Sequence, residues 1–368
     1  MKKRLLIDVN SVVPYFTKGY ASGVGRSTFE LIKALNKIED IPFDIILYSQ
    51  NMKGVGAKSL KTDFRSLHFY VPNRHFSTGV INYFGLKRLL SHYDLMHIPH
   101  NTDRWENISK TIYTIHDLIV YRYPEMWRLT EDEKKVHNYI AQNCKAIVTC
   151  SEASKRDIVD FWHVSPSKVT VIPWGVNREL FSPDYKPLNI SGLSDDFFFC
   201  SSCNHPRKQV ELIVASYRRY LAIGGKNQLV LLNPKLDYSS VSDLISNGRL
   251  IIVSGINDTM LVQLYSQSKA TIVVSLYEGF GLPVLESLAC HTQVLCARNS
   301  SLVEAGGNVV DYIPELSEIE IAQSMYRYDT IKKKDLLDID LVEQHLKNFT
   351  WENCASKYVK FYEKMLYQ

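Results

Sequence analysis

The sequence has no apolar run that approaches the roughly 18 residues of a membrane-spanning helix, so an integral membrane protein is not expected. Its seven cysteines are odd in number and scattered, which argues against a disulfide framework and favours a reducing cytoplasm. Cys200 and Cys203 form a lone CxxC without a second pair at zinc spacing, and we interpret them as core cysteines. The charged start, MKKRLLIDVNSVV, is interrupted by Asp8 and Asn10, which favours a buried first strand over a signal peptide.

Several catalytic signatures are also missing, because no GxSxG, HExxH or Walker A motif occurs. His97 and His100 end an apolar run, but no third ligand is spaced to complete a metal site, so none is expected. Gly23 and Gly25 in GVGRST resemble part of a dinucleotide fingerprint, yet Thr28 stands where the third glycine belongs. No acidic residue ends the second strand-like run either. An NAD(P) oxidoreductase is therefore disfavoured, while a glycine loop over another ligand remains open.

The net charge of +4 is too small and too local to indicate a nucleic-acid reader. Much of the basic excess lies in residues 53–88, where Lys and Arg are interleaved with Phe and Tyr and Asp63 is the sole acid. Two interpretations stay open for this segment. It could lie against an anionic membrane surface, or it could be a solvated loop face.

The pattern of the chain predicts two domains, as its 368 residues also suggest. Apolar runs alternate with helical patterns in two series: RLLIDV, FDIILYS, DLMHIP, TIYTIHD and AIVTCS, then DDFFFCSS, NQLVLLN, RLIIVSG, ATIVVSL and TQVLCA. Such alternation predicts two α/β, Rossmann-like, doubly wound domains that face a cleft. The predicted boundaries are residues 1–178 for the first domain, 179–196 for a Pro/Ser/Gly-rich linker, 197–349 for the second domain and 350–368 for a final amphipathic helix.

Ligands of open parallel sheets bind outside the carboxyl ends of the strands, so the loops after these runs should carry the chemistry. One such loop, EGFGLPVLE, runs from Glu278 to Glu286. Gly279 and Gly281 let the backbone approach a ligand, and the proline suits the first turn of a helix whose free N–H groups attract a diphosphate. Glu286 could then accept hydrogen bonds from ribose hydroxyls, and Glu278 could meet a sugar on the other side. Alternatively, the segment is a tight turn whose glutamates cap helix N–H groups.

Two further loops have unusual residues at the ends of strand-like runs. In NHPRKQ, Arg207 and Lys208 precede a helix, and both suit a diphosphate, although a basic turn facing water is the plainer interpretation. In TIYTIHD, His116 ends a run and could contact a sugar hydroxyl or a reacting oxygen. A structural histidine is the alternative there.

Taken together, these segments resemble the retaining glycosyltransferases of family 4, which have the GT-B fold. YEGFGLPVLESLACHTQVL resembles the E-x7-E region of that family, and NHPRKQ, SGIND, TIHDLIVYRYPE, AIVTCSEASKRDI and KVTVIPWGVN fall where it has its recurring segments. The resemblance spans nearly the whole chain and is carried most specifically by the ordered set. It implies two Rossmann-like domains, the first for the acceptor and the second for the donor, with a C-terminal helix that crosses back to the first domain.

The resemblance also implies roles for individual residues. Glu286 would bind the donor ribose, Glu278 the hydroxyls of the donor sugar, and His116 the same sugar near the reacting carbon. Arg207 and Lys208 would hold the diphosphate. The remaining donor contacts that it implies are the glycine loop with Gly23 and Gly25, the nucleobase-flanking Gly255 and Ile256, and the turn of Gly279, Phe280, Gly281 and Leu282.

The activity implied by the resemblance is transfer of a hexose from a nucleotide diphosphate sugar to a glycan or lipid-linked acceptor, with retention at the anomeric carbon. Its motifs are most similar to those of mannosyltransferases of surface polysaccharide assembly, which favours GDP-mannose over a UDP-hexose. No cofactor or metal is expected, because Arg207 and Lys208 supply the positive charge. The expected location is the cytoplasm, at the inner face of the membrane if residues 53–88 touch it. A non-catalytic nucleotide-sugar-binding protein of the same fold is the alternative function.

Overall fold

The structure, a computed structural model, describes residues 2–18, 23–70, 92–99, 107–201 and 203–368. The chain forms two compact units, one of residues 1–175 with 351–368 and one of residues 176–350. Among the described residues, no helix has both the length and the apolar character needed to cross a membrane. All seven cysteines are buried and free.

The first unit is built on a seven-stranded parallel sheet of strand order β3-β2-β1-β4-β5-β6-β7. Its strands are β1 (Arg4–Asp8), β2 (Asp44–Gln50), β3 (Arg65–Phe69), β4 (Leu95–Ile98), β5 (Thr111–Thr114), β6 (Ala146–Thr149) and β7 (Val169–Val171). On β1, Leu6 pairs with Ile46 on one side and with Met96 on the other. Apart from Arg4, every residue of the central strands β1, β4, β5 and β6 is buried, as expected for a parallel sheet covered on both faces by helices.

Within the described ranges, five helices of this unit precede residue 175 and a sixth returns from the chain end. They are α1 (Val13–Lys18), α2 (Gly23–Asn36), α3 (Ile119–Arg122), α4 (Glu131–Asn143), α5 (Glu152–Trp162) and the C-terminal Trp351–Tyr367. Sequence and local chemistry set some of their limits. For example, Thr130 and Glu133 form a reciprocal capping box at the start of α4, which satisfies otherwise free N–H groups.

The C-terminal helix packs in the first unit through a buried polar group. Tyr362 hydroxyl lies 2.6 Å from Nδ1 of His97, and Nε2 of the same ring lies 2.8 Å from Thr114 Oγ1. His97 is fully buried, and both ring nitrogens meet hydroxyl groups, so it is a satisfied core histidine. The expectation that the last helix joins the first domain agrees with the division into units, and His97 has a structural role.

The second unit is built on a six-stranded parallel sheet of order β10-β9-β8-β11-β12-β13. Its strands are β8 (Phe197–Cys200), β9 (Gln228–Leu232), β10 (Leu250–Val253), β11 (Ala270–Val273), β12 (Val294–Ala297) and β13 (Asp311–Ile313). Its helices are α6 (Val210–Ala222), α7 (Ser242–Ser246), α8 (Asp258–Gln267), α9 (Leu282–Ala289), α10 (Leu302–Gly306), α11 (Glu318–Asp329) and α12 (Ile339–Leu346). We number the C-terminal helix Trp351–Tyr367 of the first unit α13. The prediction of two Rossmann-like α/β domains is confirmed.

Two segments that the sequence marked, residues 179–196 and 53–88, are described in full or in part by the structure. Residues 179–196, interpreted from the sequence as a linker, fall within the second unit in this division. Of the basic and aromatic stretch 53–88, only residues 53–70 are described, with β3 in them and Tyr70 exposed. The rest of that stretch, including Lys87 and Arg88, lies outside the described residues.

Candidate functional site

The strand order of the second unit reverses between β8 and β11, because the chain runs outward from β8 to β10 and then returns to β11 on the other side. The loops that leave β8 and β11 therefore diverge and open a crevice at the carboxyl edge of the sheet. Arg207 and Lys208 follow β8, and Glu278 follows β11. The fold thus brings two sequence motifs that are 70 residues apart to one switch point.

A short turn holds the two basic residues in place. Pro206–Lys208 form one turn of 3-10 helix, whose start is capped by the His205 ring accepting the Arg207 N–H at 3.2 Å. Gln209 follows in the left-handed region at φ 56°, which ends the turn before α6 begins. The Leu276 N–H donates to the Arg207 carbonyl at 2.9 Å and so links this turn to the loop after β11.

Glu278 pairs with both cations. Lys208 Nζ donates to Oε1 of Glu278, and Arg207 Nη1 lies 2.6 Å from Oε2. The Ser275 hydroxyl adds a 2.6 Å hydrogen bond to Oε1, and the Arg207 guanidinium also donates to the Tyr277 carbonyl at 2.8 Å. Lys208 and Glu278 are only 6% and 7% exposed, whereas the Arg207 side chain is 23% exposed. The cluster therefore has a net charge of +1 and presents Arg207 as its more accessible cation.

Electrostatics keep this carboxylate charged. Burial by itself would raise the pKa of Glu278, but the charges of Lys208 and Arg207, with hydrogen bonds from Lys208 and Ser275, lower that pKa to about 2. Burial lowers the pKa of Lys208, and the Glu278 charge opposes that shift. The pair thus holds an ammonium group in a buried position, where a charge interacts more strongly with a ligand than it would in water.

Glu286 lies on α9, also buried at 8% exposure. Its Oε2 accepts a 3.0 Å hydrogen bond from the Tyr265 hydroxyl, which itself lies 2.7 Å from Ser201 Oγ at the end of β8. Burial, with the Glu286 charge, raises the pKa of Tyr265 well above its ordinary value. The carboxylate is therefore oriented by a neutral phenol, and it remains an acceptor of the kind that ribose hydroxyls need.

The turn between the two glutamates has strict steric requirements at one position. Gly281 has φ 104°, and a Cβ there would lie 3.0 Å from the Ala305 Cβ and 3.3 Å from Leu302 Cδ2. Helix α9 starts at the next residue, with the proline in its first turn as the sequence suggested. The side chain of Phe280 is buried, and the centre of its ring lies 6.0 Å from the centre of the Phe349 ring. Gly279 and Gly281 lie in the turn, and Leu282 is the first residue of α9, so this helix begins at the carboxyl edge of the sheet.

The other predicted donor contacts of this unit lie further out. Gly255 and Ile256 follow β10, the edge strand, and precede Asn257, which caps α8 by accepting the Met260 N–H at 2.9 Å. Gly255 is exposed and has φ 64°. Gly255 and Ile256 therefore lie at the same carboxyl edge as the cluster of Glu278, but next to β10, the outermost strand on that side of the sheet.

Sequence reasoning missed several residues that shape the site. Ser300 Oγ accepts the Glu278 N–H at 3.0 Å, and Ser301 Oγ donates to the Glu278 carbonyl at 2.7 Å. Both follow β12 in the segment ARNSS, so the rule that loops after strands carry chemistry could have found them. Tyr265 faces Glu286 from the last turn of α8, and no sequence signal marks that contact.

His116 belongs to the first unit, where it follows β5 and is half-buried. Its Nε2 lies 2.9 Å from the Pro99 carbonyl, and its ring packs edge-on against Trp174 at 5.1 Å. A carbonyl only accepts, so Nε2 carries the proton and Nδ1 of the neutral ring is an acceptor. The Nδ1 atom is itself buried, so the ring in this orientation offers neither nitrogen to a ligand.

Gly23 and Gly25, also in the first unit, lie in the first turn of α2. Gly25 is buried, whereas a Cβ at Gly23 would meet open space. The hydroxyls of Ser27 and Thr28 donate back to the Val24 carbonyl at 2.9 and 3.0 Å. Residues 19–22, the remainder of the expected glycine loop, lie outside the described residues.

Two family models match the chain. That of Glycosyltransferase Family 4 matches residues 21–180, and that of Glycosyl transferases group 1 matches residues 205–310. The first covers most of the first unit, and the second includes Arg207, Lys208, Glu278 and Glu286.

Among curated proteins, a probable sucrose-phosphate synthase of Thermosipho melanesiensis is 25% identical over 57% of this chain and 51% of its own length. The serotype-specific mannosyltransferase WbdA of Escherichia coli is also 25% identical over 57% of this chain, but only 27% of its own length is covered. The chain thus spans about half or less of these relatives. The O-antigen chain mannosyltransferase B of Escherichia coli is 21% identical over 75% of this chain and 74% of its own length.

Several solved structures have a similar fold at low sequence identity. A sucrose-phosphate synthase from Thermosynechococcus elongatus superposes with a TM-score of 0.74 at 17% identity, covering 99% of both chains. Anabaena Alr3699/HepE in complex with UDP and glucose gives 0.70 at 14% identity, covering 99% of this chain and 100% of its own. At these identities the likeness establishes the fold, which is GT-B. By the matched family models and this fold, the chain belongs to the group 1 glycosyltransferases of family 4.

Proposed function

We propose that this protein transfers a hexose from a nucleotide diphosphate sugar to a glycan or lipid-linked acceptor, with retention at the anomeric carbon. The observation that carries the proposal is the cluster of Arg207, Lys208 and Glu278 at the β8/β11 switch point. Its net positive charge lies at the edge where α9 begins, and a helix start attracts the same anion. A diphosphate is the group that this combination suits best.

The donor would lie across this edge. Its diphosphate would meet Arg207 and Lys208, its ribose hydroxyls would donate to Glu286, and its sugar would extend toward Glu278. Gly255 and Ile256, further out at the same edge, would flank the nucleobase. The proposed role of His116 at the donor sugar would require its ring to turn, because Nδ1 is buried and Nε2 is bonded to the Pro99 carbonyl.

The chemistry assigned to the protein is electrostatic. In this proposal the acceptor oxygen bonds to the anomeric carbon on the face from which the phosphate leaves, and the departing phosphate oxygen takes the acceptor's proton. Negative charge grows on the leaving diphosphate, and fixed cations stabilise it most effectively in a water-poor site. Lys208 and Arg207 supply that charge, so the proposal includes no metal cofactor.

Mannose is our first choice for the sugar and GDP for the nucleotide, with surface polysaccharide assembly as the process. The mannosyltransferase names of the Escherichia coli relatives support this choice. The UDP and glucose of the Anabaena structure make a UDP-hexose the second candidate. A thermal-shift screen of GDP-mannose, UDP-glucose, GDP and UDP separates the two, because a ligand at 100 times its Kd stabilises the folded state by about 2.7 kcal/mol.

Product formation tests the site itself. With the donor so identified, Lys208→Ala and, separately, Glu286→Ala should abolish hexose transfer while the circular dichroism spectrum stays that of the folded protein. Lys226→Ala, at an exposed lysine of the same unit, is the matched control and should keep full activity. Near-normal turnover of both site variants would refute the assignment. A product whose anomeric configuration, read from the one-bond C1–H1 coupling, is opposite to that of the donor would refute retention.

A further inference from the structure

A cavity of about 370 Å³ lies in the second unit, away from the residues assigned to the donor. Phe197, the first residue of β8, and Gln267, the last residue of α8, both line it. It therefore opens at the amino-terminal edge of the sheet, whereas Arg207, Lys208 and Glu278 lie at the carboxyl edge. Its volume is within the range of small-molecule sites.

Residues 185–195, which precede β8, form one wall of the cavity, and hydrogen bonds attach this segment to the end of α8. The Gln267 side-chain amide donates to the Lys186 carbonyl at 2.7 Å, and the Asp184 N–H donates to Ser266 Oγ at 2.9 Å. These bonds hold the wall against the helix end. The cavity is consequently a formed feature of the fold, which lowers the cost of ordering it around a ligand.

The walls combine an apolar surface with a single cation. Tyr185, Leu188 and Leu193 provide apolar surface, and Lys333 projects beside them. The Lys333 ammonium lies 5.9 Å from the centre of the Tyr185 ring and donates to the Ser266 carbonyl. Asp195 stands at the exposed rim.

Lys333 has no carboxylate partner within 4.0 Å among the described residues, although it is half-buried. An ion pair nearby joins Lys269, which is 7% exposed, to the exposed Asp196 at 4.0 Å. The pKa of Lys333 is lowered to about 8, chiefly because the side chain is removed from water; the Lys269 charge acts in the same direction, and Cys290 and Asp196 act against it. A half-buried ammonium whose neighbours are a carbonyl and an aromatic ring gains free energy from an anion brought next to it.

We propose that this cavity binds a small monocarboxylate with an apolar body. The carboxylate would pair with Lys333, and the body would pack against Tyr185 and Leu193. A single negative charge matches the single cation, whereas a phosphate dianion would place its second charge near Asp195. The inference stands apart from the proposed glycosyl transfer, since it uses none of the donor residues.

The test uses 3-phenylpropionate as the probe and the full-length protein, with binding followed by saturation-transfer difference NMR. We expect a Kd on the order of 1 mM or lower for a ligand of this size. Lys333→Gln should weaken binding at least fivefold, while Lys334→Gln, at the exposed neighbouring lysine, should leave it unchanged. Tyr185→Ser, at a side chain 63% exposed in the fold, should weaken it at least threefold and provides a second variant with little risk of misfolding.

Two further binding measurements test where the acid binds and whether its charge matters. The neutral analogue 3-phenylpropanamide should bind at least fivefold more weakly than the acid and be insensitive to Lys333→Gln. Arg207→Gln should leave binding of the acid unchanged, because that cation lies at the other edge of the sheet. Equal binding of the acid by wild type and Lys333→Gln, equal binding of acid and amide, or loss of binding in Arg207→Gln would each overturn the proposal.

Discussion

Replacing Glu278 by Gln tests whether the buried cluster has the electrostatic character described above. The amide keeps the size of the carboxylate and can accept a hydrogen bond, but it leaves Lys208 and Arg207 without a counter-charge. The pKa of Glu278 falls from an ordinary 4.5 to about 2, a difference worth roughly 3 kcal/mol at neutral pH. Removing one partner of a buried ion pair costs a similar amount, about 3–5 kcal/mol.

We therefore expect Glu278→Gln to lower the free energy of unfolding of the second unit by about 3 kcal/mol at pH 7. For a unit of this size that is a decrease of roughly 6–12 °C in Tm, measured by scanning calorimetry. Glu315→Gln, at an exposed position in the same unit, is the control and should shift Tm by less than about 2 °C. All five tryptophans fall in the residue ranges of the first unit, so their fluorescence reports separately on that unit.

The lowered pKa of Glu278 also determines how its contribution to the free energy of unfolding changes with pH. Because the folded pKa of Glu278 is lowered, its stabilising contribution is complete above the unfolded value near 4.5 and is lost as pH falls toward about 2. Glutamine does not titrate, so the Tm difference between wild type and variant should shrink between pH 5 and pH 3. The reasoning would be refuted if the free energies of unfolding of wild type and variant differed by less than about 1 kcal/mol at pH 7. It would also be refuted if their difference stayed constant down to pH 3.

Three other substitutions have defined outcomes. Gly281→Ala should cost about 1–3 kcal/mol in a urea titration, since the left-handed backbone and the crowded Cβ position both oppose it, and an unchanged midpoint would contradict this steric reading. Tyr362→Phe should cost about 1–3 kcal/mol, because it leaves buried His97 without one hydrogen-bond partner; a neutral effect on thermal unfolding would show that the contact does not hold the C-terminal helix. Tyr265→Phe should weaken nucleotide binding several-fold in calorimetric titrations by freeing Glu286 to reorient, whereas unchanged affinity would separate Glu286 from the ribose.

The strands that sequence patterns missed share one physical property. β3, β7 and β13 all lie at sheet edges, where one side of the strand has no neighbour. Their burial is partial, so RSLHF, VTV and DYI lack the continuous apolar character that marks the central strands. Pattern reasoning detects burial, and it therefore finds the buried strands first.

The site was predictable in its residues but not in its contacts. Loop position after an apolar run, glycine content and charge were enough to select Arg207, Lys208, Glu278 and Glu286. Ser275 lies only three residues before Glu278, whereas Ser300 lies 22 residues from Glu278 and Tyr265 lies 21 residues from Glu286. Apart from the position of Ser300 after β12, no local pattern marks these hydroxyl groups as partners of the glutamates, and only the fold gives them that role.

What the sequence determined by itself is the two-domain parallel-sheet architecture and the edge of each sheet that carries the ligand-binding loops, because hydrophobic periodicity and strand–helix alternation are local properties. What only the tertiary structure decided is that Glu278, expected to face a sugar, also pairs with both cations expected to bind the diphosphate. That pairing depends on β8 and β11 being neighbours in space while 70 residues separate Lys208 from Glu278. Strand order arises from the packing of the whole unit, and no local stretch of residues encodes it.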